Sequence, residues 1–178
     1  MGLTYIASVT ASASATLSFT TGIDATYNEY QFHMVNIHPA TDLSEFLFQV
    51  NAAGATGFNE TITSTFFWAY HNEADSAALL AYEGALDQAQ GTAYQYLQNN
   101  IGNAADEATS GILTLYAPSS TTYVKHFTSR MNAGQGTGYS VDTHIAGYIN
   151  TTSAIDEISF KFSAGNIDDG TIKMFGVS

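Results

Sequence analysis

Ile158-Ser159-Phe160-Lys161-Phe162-Ser163 decides how this chain is read. Apolar and polar residues alternate. A two-residue period puts every second side chain on the same side of an extended backbone, so the segment predicts a strand with one face on a core. The period recurs elsewhere. In Ala15-Thr16-Leu17-Ser18-Phe19-Thr20 the odd positions are apolar. Phe46, Phe48 and Val50 share a face, with Gln49 among the residues between. Ile62, Phe66, Trp68 and Tyr70 share another. Further strands are expected at residues 3–9, 30–37, 111–117, 123–129, 139–149 and 171–177. In the 30–37 run the apolar parity switches between Met34 and Val35, as a β-bulge would cause by inserting one extra residue.

Turn chemistry separates these runs. Thr21-Gly22, Ala53-Gly54, Thr56-Gly57, Gly134-Gln135-Gly136 and Asp169-Gly170 are loop signals. Pro39 and Pro118 each follow a strand candidate, where a missing N–H does no harm. The ambiguous stretch is 73–106. Its Ala-rich part, 74–90, admits a short helix, but Gly84 interrupts it. The favoured reading is a strand over 76–82, a loop through 87–91 and a strand at 93–97. Many short strands separated by turns predict an all-β fold, an antiparallel sandwich or a barrel.

At 178 residues the chain suits one domain spanning 1–178, large enough to bury roughly 70% of its unfolded surface. It has no cysteine, hence no disulfide framework and no thiolate metal site. The formal net charge is −12, and the four basic residues are Lys125, Arg130, Lys161 and Lys173. Nucleic acid needs a basic face to neutralise phosphates, so DNA and RNA are excluded as partners. Anionic membrane surfaces are unsuited for the same reason. No apolar run approaches the ~20 residues of a spanning helix. The N-terminus lacks the regions of a signal peptide, and Ile6 stands where myristoylation wants Ser or Thr. The sequons at Asn59 and Asn150 read as ordinary turn residues.

No constellation predicts catalysis. His33, His38, His71, His126 and His144 form no metal-ligand cluster in sequence. The pairs Asp106-Glu107, Asp156-Glu157 and Asp168-Asp169 are adjacent, and adjacent strand residues point to opposite faces rather than across a cleft. Asp168-Asp169-Gly170 reads as a hairpin loop; calcium could sit there, but the EF-hand pattern is absent. There is no nucleophile elbow, Walker loop or dinucleotide fingerprint. The expectation is no catalytic residue, no metal and no cofactor. Trp68, Tyr70, Tyr94, Tyr96 and Tyr116 admit a sugar-stacking platform; packing in a core is the plainer reading.

The run from Ile155 to Val177 includes Ile155-Asp156-Glu157-Ile158-Ser159-Phe160, then Gly165-Asn166-Ile167, then Gly170-Thr171-Ile172-Lys173-Met174-Phe175-Gly176. It resembles the closing hairpin of small virion proteins from tailed bacteriophages, especially marine ones. Residues 30–39 with 46–51, and 121–127, are similar to the same group. The resemblance implies a jelly-roll sandwich in a virion structural protein, and it carries over no catalytic residues.

The resulting expectation is a capsid decoration or cement protein on the outer capsid surface. It would be a homotrimer whose partners are itself and the major capsid protein. The alternative is a tail-fibre or receptor-binding module that binds host glycans; an enzyme has the least support. If the sequence is complete, it leaves no room for a fibre shaft. The contacting residues are not identified by sequence. Residues 1–14 read either as an arm reaching a neighbour or as an edge strand and loop.

Overall fold

The computed structural model describes residues 2–136 and 138–178, and every regular element among them is a strand. No helix of it is long and apolar enough to cross a membrane. The strands are β1 (Leu3–Thr10), β2 (Leu17–Phe19), β3 (Glu29–Pro39), β4 (Ser44–Ala52), β5 (Ile62–Asn72), β6 (Ala78–Tyr82) and β7 (Ala89–Gly91). They continue as β8 (Gln95–Ile101), β9 (Thr109–Tyr116), β10 (Lys125–Gln135), β11 (Tyr139–Ile149), β12 (Ile155–Phe162) and β13 (Ile167–Val177). The large sheet has nine strands, ordered β1-β13-β3-β9-β10-β11-β5-β6, with β7 also paired to β5. The small sheet has four, ordered β2-β12-β4-β8. All pairings are antiparallel, and the protein is an all-β sandwich.

Alternation builds the core. Along β10, Phe127, Ser129, Met131 and Ala133 are buried while His126, Thr128, Arg130 and Asn132 are exposed. Aromatic rings join the two layers. Phe19 meets Phe32 at 5.7 Å, Phe160 meets Phe32 at 5.8 Å, and Phe48 meets Phe127 edge-on at 5.0 Å. Each fully buried Phe contributes about 1.5–3 kcal/mol of transfer free energy. Phe127 lies over its cross-strand partner Gly147, where a Cβ would come within 2.7 Å of the ring.

β12 and β13 do not form a hairpin. β12 belongs to the small sheet and β13 to the large one, so the chain crosses the sandwich between them. The turn lies at residues 163–166, where Gly165 takes φ +73°. Asp168-Asp169-Gly170 is therefore not a loop but part of β13. Its turn-like composition serves an irregular ladder. Register shifts in β13 around Asp169 face the shift in β3 between Met34 and Ile37. Gly170 sits at φ +114°, where a Cβ would lie 2.5 Å from the Asn36 carbonyl oxygen. The expected bulge in β3 is present, with Asn36 left-handed at φ 51°. Val35 is exposed, however, and Ile37 is the residue that returns to the core.

The ambiguous stretch holds no helix. β6 falls within the expected strand, but β7 lies in the expected loop, and β8 extends through polar Gln98, Asn99 and Asn100. Of these, Gln98 is held by specific bonds. Gln98 Nε2 donates to the Val141 carbonyl at 3.2 Å, and Thr143 Oγ1 donates to Gln98 Oε1 at 2.7 Å. Residues 3–10 form an edge strand on β13 rather than a free arm. The strand expected from 123 begins at Lys125, with Tyr123 exposed.

Candidate binding face

The outward side of the large sheet is a broad face whose residues are set by register. One cross-strand row runs Lys173↔His33↔Ile112↔Arg130 through β13, β3, β9 and β10. It continues Arg130↔His144↔Phe67↔Tyr82 through β11, β5 and β6. Phe67 and His144 stack at 5.1 Å with planes 4° apart. Arg130 donates from Nε and Nη2 to the two carboxylate oxygens of Asp142, at 3.1 and 3.0 Å. His144 Nε2 lies 3.1 Å from Asp142 Oδ2. Small side chains, Thr114, Thr128 and Ala146, leave a shallow depression walled by Phe67, Ile112, Arg130 and His144.

This face differs electrically from the rest of an acidic chain. The strands of the large sheet hold only Glu29, Asp142, Asp168 and Asp169 as carboxylates; the other acidic residues lie in loops or on the small sheet. Arg130 and Lys173 point outward here, as do His33, His71, His126 and His144. Burial pushes the Asp142 carboxyl up, but the bonds from Arg130 and His144 outweigh it and hold it below the ordinary carboxylate value. Burial, aided by the charge of Lys173, pushes the His33 imidazole below its ordinary value. Arg130 is committed to Asp142, so the face offers shape, aromatic area and hydrogen bonds rather than a free guanidinium fork.

The other cations are elsewhere. Lys125 is fully buried, its Nζ donating to the Tyr123 and Thr151 carbonyls at 3.1 Å each, and burial pushes its pKa down. It ties two loops together and is no surface charge. Lys161 Nζ sits 4.4 Å from the Tyr94 ring centroid on the outer side of the small sheet. His38 lies near the end of β3, half-buried, its Nδ1 2.6 Å from the Glu107 carbonyl oxygen.

The five aromatics considered for a platform are not brought together. Trp68 and Tyr70 lie on the inner side of β5, where Tyr70 meets Tyr139 at 5.4 Å. Tyr96 packs against the core, Tyr94 lies under Lys161, and Tyr116 faces outward from β9. The residues that do shape the face, Phe67 and Ile112, escaped the sequence reading. The signal available was a large apolar residue in the polar parity of a strand.

Among the described residues no three His, Asp or Glu side chains are grouped to hold a metal ion. The adjacent carboxylate pairs do not converge on a cleft: Glu157 accepts from Asn51 Nδ2 at 2.7 Å, and Glu107 accepts from the Ala104 N–H at 2.8 Å. Both sequon asparagines lie in loops, after β4 and β11.

No family model matches the chain, and no curated protein matches it. A crystal structure described as a structural genomics protein of unknown function from Bacteroides ovatus aligns with a TM-score of 0.31 and 7% identity. The alignment covers 59% of this chain and 45% of that one, so this chain spans less than half of its length. A likeness of that size assigns neither a family nor a function.

Proposed function

We propose that this chain is a structural virion protein, a capsid decoration protein that docks as a homotrimer on the outer capsid surface. The supporting observation is the outward face of the large sheet. It gathers exposed apolar and aromatic area with most of the histidines, and its central carboxylate is neutralised by Arg130. In a chain of net charge −12, this is the part of the surface that approaches another protein with least repulsion. The strand order also favours the jelly-roll reading. In a jelly roll one sheet pairs the first strand with the last, the last with the third and the third with the sixth. The small sheet follows that order if β2 is first, β12 last, β4 third and β8 sixth. The large sheet then carries β9, β10 and β11 where one strand would run, with β1 and β13 added at its edge.

The role is binding rather than catalysis, and the major capsid protein is the partner. The test mixes purified protein with undecorated capsids, free major capsid protein and a glycan array. Saturable binding to capsids alone, lost in Phe67→Ala/Ile112→Ser, supports decoration. The depression beside the Phe67–His144 stack favours the second reading, a receptor-binding module, since a sugar ring stacks on such a surface. Glycan binding without capsid binding would establish that reading instead. Light scattering checks the trimer; a monomer at micromolar concentration overturns it.

A further inference from the structure

β6 closes one edge of the large sheet, and its sequence is Ala78-Leu79-Leu80-Ala81-Tyr82. Leu79, Leu80 and Tyr82 are 47%, 73% and 56% exposed. One side of this strand pairs β5. The Glu83 N–H donates to the Phe66 carbonyl at 2.9 Å, and the Asn72 N–H donates to the Ala77 carbonyl at 3.0 Å. The register pairs Trp68 with Ala81 and Tyr70 with Leu79. Alternation in an antiparallel ladder then turns the backbone groups of Leu79 and Ala81 toward β5. Those of Ala78, Leu80 and Tyr82 point away from the sheet.

Exposed edges are ordinarily blunted by charge, proline, a bulge or shortness. β1 has a register shift between Tyr5 and Ala7, and β2 is only three residues long. β6 has an unbroken register and neither charge nor proline. Its charges stand at its ends. Glu73 and Asp75 precede it, Glu83 and Asp87 follow it, and no Lys or Arg occurs before Lys125. A second copy pairing edge to edge in antiparallel fashion would bring the acidic end of one β6 against the acidic end of the other. Like charges so placed oppose self-pairing and favour a basic partner.

We propose that β6 is an acceptor edge for an extended segment of another protein, apolar at alternate positions and carrying Lys or Arg at its ends. The segment adds a further strand to the large sheet. Main-chain bonds to Ala78, Leu80 and Tyr82 supply affinity, and the flanking carboxylates supply selectivity. This goes beyond docking through the sheet face and does not depend on it.

The probe is a synthetic peptide with a Val-Thr-Val-Thr-Val core and a lysine pair at each end; the control carries glutamates instead. Amide hydrogen exchange on the full chain should slow at Ala78, Leu80 and Tyr82 with the lysine peptide, and not with the control. Leu80→Pro removes an outward N–H without touching the β5 ladder, so it should fold and bind roughly tenfold more weakly. Glu73→Gln/Glu83→Gln should weaken lysine-peptide binding and erase the preference over the control. Should Leu80→Pro fail to fold, the exchange pattern of the unaltered chain decides. Equal binding of both peptides, or protection elsewhere, overturns the proposal. So does self-association that Leu80→Pro abolishes.

Discussion

β4 and β6 invert the usual relation between composition and burial. β4 contains Gln49 and Asn51, yet both are buried along with its phenylalanines. β6 consists of apolar residues, yet most of it is exposed. The difference is position. β4 lies between β12 and β8, and its outer side is covered by the chain's own loops. Gln49 Nε2 has two hydrogens to share among the carbonyls of Glu60, Thr92 and Ala93, which lie at 2.9, 3.3 and 3.0 Å. Asn51 Oδ1 accepts from the Phe58 N–H at 2.7 Å. A polar side chain is tolerated inside because each bond lost to water is replaced. Among the described residues β6 has a strand neighbour on one side only, and most of it stays exposed.

The largest effect should come from the apolar side of β4. Phe48→Ala removes a ring packed on Phe127 and should destabilise by about 3–5 kcal/mol, read as a lower midpoint in urea. A loss near 1 kcal/mol would mean that the two sheets are loosely joined. The polar side comes next. Gln49→Leu removes the donor to the Glu60 and Thr92 carbonyls, while the Ala93 carbonyl keeps its bond from Gln88 Nε2; about 1–3 kcal/mol of stability should go, although the substitution is toward greater hydrophobicity. A stabilised Gln49→Leu would show that composition, not satisfaction, rules the site.

Acid should act on the outward face of the large sheet, through His33 and Asp142, whereas Gln49 and Asn51 of β4 are amides and do not themselves titrate. The His33 pKa is lowered on folding, so the unfolded chain binds the extra proton. Its contribution is full above the ordinary histidine value of 6.5 and is lost as pH falls through the folded value. Asp142 is also lowered, so its contribution is present above the ordinary 3.8 and lost as pH falls through the folded value. Stability measured against pH should therefore fall in two steps. His33→Gln should flatten the first and Asp142→Asn the second, each modestly because solvent screens the face. The smallest effect belongs to β6: Leu80→Thr should change stability by no more than about 0.5 kcal/mol. A loss above about 2 kcal/mol would mean that the edge is structural rather than free.

The strands most legible in the sequence were those with one wet side. β11 matches its expected bounds because inward Val141, Thr143 and Ile145 alternate with outward Asp142, His144 and Ala146. β8 was poorly legible. Its buried Gln98 is satisfied by Val141 and Thr143, which are distant in sequence and adjacent only after the sheets pack. The bulge in β3 showed as a parity switch, but its partner in β13 looked like a turn, because Asp and Gly serve both. Phe67 was overlooked for a related reason. Flanked by Phe66 and Trp68, it looked like more core, and only the pairing with His144 shows that it faces out.

The sequence by itself determined the all-β class, the alternating faces of the long strands, the acidity and the scarcity of cations. These follow from local periods and side-chain chemistry, which need no partner in space. Tertiary structure alone decided that β12 and β13 belong to different sheets, that Lys125 is buried, and that the row from Lys173 to Tyr82 crosses one face. It also decided that β6 is an edge. Each of these depends on which strand lies beside which. Register and strand order are set by contacts between residues far apart in the chain, and a period of two is the same whether a strand has two neighbours or one.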